Sequence, residues 1–400
     1  MHAGFHRDLL ESKLRTNVSR RRFLSRAGSL LPVTLIGSAL SVGCRASRTA
    51  SPGKSTGGGK LGGVLNFFGY DGEDGASVAK PFLESHGIRL QTTFQSSADE
   101  ALTRFQTGGR GAMDIVASNK DFHRAILASG VEFLLPLDMN RIPNADGLFP
   151  AFKNAPWLTR GGRTFAVPLI WGDEPCVYNP KKWKGVPPKY TDFADPRYKG
   201  ELVFLNDPYS NIWLFATSLN MPQPHLLTQK QLDQVIAAML TVKPNIVAFG
   251  ASLGDMADIL IRGDASMAIG GWVFQAVIAA EKGVELRVAS PGTDGTFFWS
   301  DAYAIALDAP DLDNAYAFID FMMRPESNAA IASKLGSGAT IEKAVDLIDK
   351  KLRDLHPYDI VRKPNGGILN TQIVIPPQED RGDIVGAAKW AKAWEAFRLS

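Results

Sequence analysis

Cysteine is nearly absent: 400 residues hold only Cys44 and Cys176. One thiol in the body of the chain cannot bridge to itself, which excludes a disulfide framework. The six histidines (His2, His6, His86, His123, His225 and His356) are scattered. None has metal-ligand spacing to another or to an acid, so no metal site is expected. Phosphate-loop and HExxH motifs are missing too. Gly250-Ala251-Ser252-Leu253-Gly254 matches a nucleophile elbow literally, but only His356 follows it as a partner base. Ser252 reads instead as a helix N-cap, and the chain is expected to be no enzyme. Eight dispersed tyrosines argue against a ferric site. Beyond the N-terminal region there is no apolar run long enough to span a bilayer, which takes about 20 residues.

What is present begins with Ser19-Arg20-Arg21-Arg22-Phe23-Leu24, followed by an uncharged stretch over 27–43 that contains Pro32. The pattern resembles a twin-arginine export signal, giving a signal segment over 1–43. Cys44 closes that stretch and resembles the lipid-attachment Cys of a bacterial lipoprotein, although Ser41 stands where Leu is usual. An unlipidated exported protein is the alternative. Residues 44–61 are small and polar, rich in Gly and Ser, and suit a flexible tether. Net charge is +3 overall. Residues 1–43 carry seven Lys/Arg and two acids, so the remainder stands at −2 and offers no reason to invoke nucleic acid.

From residue 62 the hydrophobic period alternates between strand and helix. Strands are expected at 64–68, 88–94, 113–117, 165–170, 176–179, 201–205, 246–249, 267–272, 286–289 and 302–307. Helices are expected at 80–85, with Pro81 in the first turn, and at 99–107, 212–219, 229–240 and 253–262. The C-terminal part from Asn314 is expected to be largely helical. The alternation predicts an α/β fold with parallel strands. Its ligand loops, 69–75 and 118–121 among them, should lie beyond strand carboxyl ends.

Several segments occur in a telling order: Gly62 to Tyr70, Asp114-Ile115-Val116-Ala117-Ser118, Val167-Pro168-Leu169-Ile170-Trp171-Gly172, Pro196-Arg197-Tyr198-Lys199-Gly200-Glu201-Leu202, Ile269-Gly270-Gly271-Trp272, Phe298-Trp299-Ser300-Asp301-Ala302-Tyr303, and Phe321-Met322-Met323-Arg324-Pro325. Together they resemble the periplasmic spermidine/putrescine-binding proteins of ABC importers. The resemblance implies a two-lobed periplasmic binding protein fold with interlobe hinge strands. Lobe 1 would be 62–170 plus 300–346, and lobe 2 would be 171–299 plus 347–400. It further implies a polyamine in the interlobe cleft, an inner-membrane ABC permease as partner, and no cofactor. Another cationic or small organic solute, or a sensing role, is the alternative.

The resemblance also implies site residues. Trp299 and Trp272 would be aromatic walls, Asp301 the principal carboxylate, Asp207 a second acid, Tyr70 an aromatic at the first strand end and Ser118 a hydroxyl contact. Asp71 is the expected loop acid, with Glu73 and Asp74 as stand-ins that otherwise read as solvated. Trp299 and Asp301 stand two apart, so an extended segment aims both at the cleft. Other positions depart from the pattern. Ser210 replaces an acid, Lys120 replaces a tyrosine, and Ser337 stands near another tyrosine position. A C-terminal glutamine contact has only Gln378 and Arg381 nearby.

Overall fold

The computed structural model describes residues 60–95, 104, 111–128, 132–153, 155–363 and 372–400. The expected signal, Cys44 and most of the tether lie outside these residues, as does nearly all of the helix expected at 99–107.

Among the described residues the strands in chain order are β1 (Gly63–Gly69), β2 (Ile88–Phe94), β3 (Ile115–Asn119), β4 (Thr159–Arg160), β5 (Arg163–Thr164), β6 (Ala166–Asp173), β7 (Cys176–Tyr178), β8 (Leu202–Leu205), β9 (Ile246–Gly250), β10 (Met267–Ile269), β11 (Arg287–Ala289), β12 (Phe298–Ile305) and β13 (Gly338–Ala339). One six-stranded sheet runs β13-β6-β12-β3-β1-β2, and a five-stranded sheet runs β11-β7-β10-β8-β9. In the first, β1 is parallel to β2 and β3, while β12 is antiparallel to β3 and β6. In the second, β8 is parallel to β9 and β10, and β7 is antiparallel to β10 and β11. Each sheet thus has three parallel strands on one side, β3-β1-β2 and β10-β8-β9, continued by antiparallel strands on the other.

Each sheet has its own apolar core. Phe67, Trp157, Trp171 and Tyr303 anchor the first; Tyr190, Phe204, Trp390 and Trp394 anchor the second. The chain leaves the first sheet along β6 and returns along β12. These two strands pair antiparallel, with Trp299 opposite Gly172 and Asp301 opposite Ile170. All eight residues of β12 are buried, as are the first seven of β6. Burial on both faces explains their near-continuous apolar sequence. Between Asp301 and Ala302 the register slips by one, because Ala302 faces Pro168 and leaves Leu169 unpaired. Proline has no N–H to give the ladder, so a bulge forms there.

Several expectations are corrected. The first helix spans Ala76–His86, not 80–85, so Pro81 sits in its interior. Ala79, Phe82 and Leu83 pack on the core and hold the helix despite the lost N–H. Ser118 to Asp121 is not a loop: β3 ends at Asn119 and a helix, Lys120–Ala128, starts at once. Ile348, Tyr358 and Val361 lie in the first core, so residues following Leu347 pack there rather than in the second. The chain has joined the second core by Val374.

Ser252 caps the helix Leu253–Arg262: its Oγ accepts from Asp255 N at 3.1 Å, and Asp255 Oδ2 accepts from Ala251 N at 2.9 Å. Ser252→Ala should therefore lower stability by about 1 kcal/mol in a denaturant titration. Cys176 is fully buried, and burial alone pushes its thiol pKa up. No helix among the described residues is long and apolar enough to cross a membrane.

Candidate functional site

A cleft of about 700 Å³ lies between the sheets, beyond the carboxyl ends of β1, β3, β8, β9 and β10. Tyr70 follows β1, Asn119 ends β3 and Lys120 follows it, Asp207 follows β8, Ser252 follows β9 and Trp272 follows β10, and all of them line it. Strand ends and the adjoining helix starts place polar groups in such a crevice as a consequence of α/β winding.

On the first sheet's side the centre is a pair of acids. Glu73 and Asp301 are 3% and 5% exposed, and their carboxyl groups are near enough that the charge of Asp301 acts on Glu73. Tight turning builds this contact: Glu73 N donates to Tyr70 O at 3.2 Å, and Tyr70 N donates to Glu73 Oε2 at 3.1 Å. The Tyr303 hydroxyl donates to the Glu73 carbonyl and ties the loop to β12. Asp301 stands opposite the β6 bulge, where the local twist can re-aim a side chain. Burial raises the Glu73 pKa well above the carboxylate range, and the neighbouring Asp301 charge raises it further. Burial lifts Asp301 to about 6. Two like-charged acids in one dry site cannot both ionise cheaply. None of the ion pairs among the described residues involves either of them.

Asp71 and Glu73, both expected as loop acids, line the cleft in different surroundings. Asp71 is exposed at the cleft's edge, whereas Glu73 is the buried member. Asp74 is buried rather than solvated. It accepts from Ala76 N at 3.3 Å and from Thr92 Oγ1 at 3.0 Å, and so serves the adjoining helix and β2.

The indoles of Trp272 and Trp299 stack, with ring centroids 4.2 Å apart and planes 18° from parallel. Trp299 Nε1 donates to Asp173 O at 3.2 Å, which fixes the inner ring. The stack joins a residue after β10 to one on β12, so it bridges the two sheets across the cleft. Gly172 makes room for it: a Cβ there would lie 2.6 Å from Trp299 Cζ2. Gly172→Ala should push the indole aside, costing about 1–3 kcal/mol of stability and disturbing the Trp fluorescence of the folded protein.

On the second sheet's side Asp207 caps the helix Pro208–Ser218, accepting from Tyr209 N at 3.2 Å and Ser210 N at 3.0 Å. It lines the cleft as well. Ser118 does not: it is fully buried under Gln95, whose Nε2 lies 3.4 Å from its Oγ. Lys120 lines the cleft but is only 1% exposed, and its Nζ donates to Gln372 O at 3.2 Å. Burial lowers its pKa to about 8, against the pull of Asp121. Ser337 lines the cleft, whereas Gln378 and Arg381 do not; Val374 and Ile375 take that stretch.

Sequence reasoning missed Glu174. It lines the cleft at 4% exposure, one residue beyond the end of β6. An Asp-Glu pair before proline reads as a solvated turn. The available signal was its attachment to a wholly apolar run. Phe274, Phe297 and Phe298, also on the lining, went unread because phenylalanines in apolar segments look like core.

Comparison with known proteins agrees with this architecture. Residues 77–355 match the model of the bacterial extracellular solute-binding protein family. The chain is 23% identical over 277 residues to the spermidine/putrescine-binding periplasmic protein of Escherichia coli K12, covering 68% of this chain and 76% of that one. It is 27% identical over 353 residues to the putrescine-binding periplasmic protein PotF of the same organism, covering 82% and 90%. The spermidine/putrescine substrate-binding protein PotD of Streptococcus pneumoniae superposes with a TM-score of 0.67 at 21% identity, over 84% of this chain and 98% of that one. Two sheets joined by paired crossing strands, with a carboxylate- and indole-lined cleft between them, thus accompany a family match over most of the chain: it belongs to the bacterial extracellular solute-binding proteins.

Proposed function

We propose that the cleft binds a small organic polycation of the polyamine class and hands it to an ABC permease of the inner membrane. The observation that carries this reading is the Glu73–Asp301 pair, buried beside the stacked indoles with no ion-pair partner among the described residues. A buried carboxylate pair is costly unless something neutralises it. An ammonium does so, and indole faces favour both the cation and its methylenes. The ligands printed in the names of the relatives, spermidine and putrescine, carry this chemistry. An anion or a neutral sugar would meet the acids with repulsion or no gain. Tyr70, Asp207 and Asp301, with Trp272 and Trp299, are the assigned contacts. Asp71 guards the rim, and Ser118 supports the floor through Gln95.

The two sheets would form lobes that close on the solute about the paired β6 and β12, since hinge closure is a standard response to a ligand held between domains. Within this reading residues 1–43 direct twin-arginine export to the periplasm. Cys44 carries a lipid anchor, and the segment after it acts as a tether. Substitution of Arg20 and Arg21 by Lys should stop export, and labelled palmitate should appear on the wild type but not on Cys44→Ala.

A thermal-shift panel tests the ligand class. Spermidine or putrescine at about 100 times Kd should stabilise the protein by about 2.7 kcal/mol. No shift with any polyamine or quaternary amine, together with a shift for a phosphonate or thiamine, would overturn the reading.

A further inference from the structure

The second sheet's side of the cleft holds a group of buried acceptors that no group among the described residues satisfies. Glu174 Oε1, Ser210 Oγ and Asn211 Oδ1 are each buried without a hydrogen-bond partner. Their residues are 4%, 1% and 0% exposed. Native interiors rarely leave such atoms alone, so each one needs a reason. Asn211 cannot turn to relieve its oxygen, because its Nδ2 already donates to Leu205 O at 2.8 Å and Asp207 O at 2.6 Å. The oxygen is the end left free.

Two of these oxygens converge on one spot. Gly270 has no side chain, and the point where its Cβ would sit is 3.0 Å from Glu174 Oε1 and 3.8 Å from Asn211 Oδ1. Its φ of +70° belongs to the left-handed region, which favours glycine. Glu174, Ser210 and Trp272 carry the group out to the cleft surface. The Trp272 indole N–H is buried and unpartnered too. It and the Ser210 hydroxyl lie near enough to ease the Glu174 charge, without reaching hydrogen-bond geometry. Burial, then the charge of Asp207, holds the Glu174 pKa well above the carboxylate range. Each Asp207 carboxylate oxygen already accepts from its helix cap, whereas Glu174 Oε1 accepts from none of the described residues.

We infer that Glu174, with Ser210 and Asn211, forms a second ammonium subsite facing the Glu73–Asp301 pair across the cleft, and that this subsite makes the protein select diamines over monoamines. A primary ammonium has three N–H donors and one positive charge. Two converging oxygens, one of them from an acid, with the Ser210 hydroxyl beside the acid, suit that set, and the same carboxylate would repel an anion. This inference rests on the polyamine reading above and adds the residue that reads the far end of the ligand.

The test is the ratio of affinities for 1,4-diaminobutane and 1-aminobutane, measured by calorimetry on the wild type and on Glu174→Gln. The variant keeps volume and hydrogen-bonding capacity but loses the charge. In the wild type the diamine should bind the tighter of the two, and in Glu174→Gln the diamine-to-monoamine ratio should fall about 30-fold or more. Ser210→Ala, which keeps the acid and substitutes a good helix former, should lower the same ratio about three- to tenfold. It provides the answer if Glu174→Gln does not fold. A ratio unchanged in the folded variant overturns the subsite while leaving the cationic-ligand reading standing. Equal wild-type affinities for the two amines overturn it as well. A wild type that binds no amine removes both readings.

Discussion

Asp301→Asn should weaken binding of an ammonium ligand by about 30-fold to several thousand-fold, the 2–5 kcal/mol typical of removing one partner from a buried charge pair. The same change should not destabilise the free protein, and its melting temperature should hold or rise. In the free state Asp301 crowds Glu73, and burial penalises the ionised form of each. A neutral amide of equal size relieves that crowding. A carboxylate that merely braced the fold would behave in the opposite way, with a lowered melting temperature and unchanged affinity. Calorimetry and a thermal melt on one preparation separate the two roles.

The second large effect is on pH. Asp301 is lifted to about 6, Asp173 also to about 6, and Glu73 and Glu174 are raised well above the carboxylate range, with burial the leading cause each time. A raised folded-state value means that the folded protein holds these protons more tightly than the unfolded chain does. Their contribution to stability is fully present below about pH 4, the ordinary carboxylate value. It is lost as pH rises through about 6 and beyond. The free protein should therefore melt at a lower temperature at pH 7.5 than at pH 5. Ligand binding should show the reverse trend. An ammonium needs the acids ionised, so binding expels protons, and affinity should drop by up to about tenfold for each pH unit lowered and each proton released. Opposite slopes for the free and ligand-saturated melts, recorded from pH 5 to 8, are the expected signature. Parallel slopes would mean that the acids keep their protons in the complex.

Much of this architecture is legible in the sequence because its signals are local. Ile88–Phe94 and Leu253–Arg262 fall where periodicity puts them. Trp299 and Asp301 reach the cleft together because alternation along a strand is a short-range property. The errors come from contacts distant in sequence. Glu73 sits in Asp71-Gly72-Glu73-Asp74-Gly75, which reads as a solvated loop, yet Tyr303, 230 residues away, bonds its carbonyl and pins it inside. Pro81 suggested a helix start at 80, but Gly75, in a left-handed conformation, ends the turn earlier and the helix begins at Ala76. Ser118 belongs to the right strand, but it pairs with the sheet's interior, and Asn119 takes the exposed end. Glu174 is the hardest case. Nothing next to it in sequence tells that Asn211 and Gly270 meet at its carboxylate, with Ser210 beside it.

The central claim is tested most directly by titrating 1,4-diaminobutane into the protein at pH 7 in two buffers of different ionisation enthalpy. Saturable binding, with a heat difference between the buffers that corresponds to proton release, is the predicted result. No saturable heat from this or any longer polyamine, or binding accompanied by proton uptake, would contradict a cleft built on buried acids awaiting a cation.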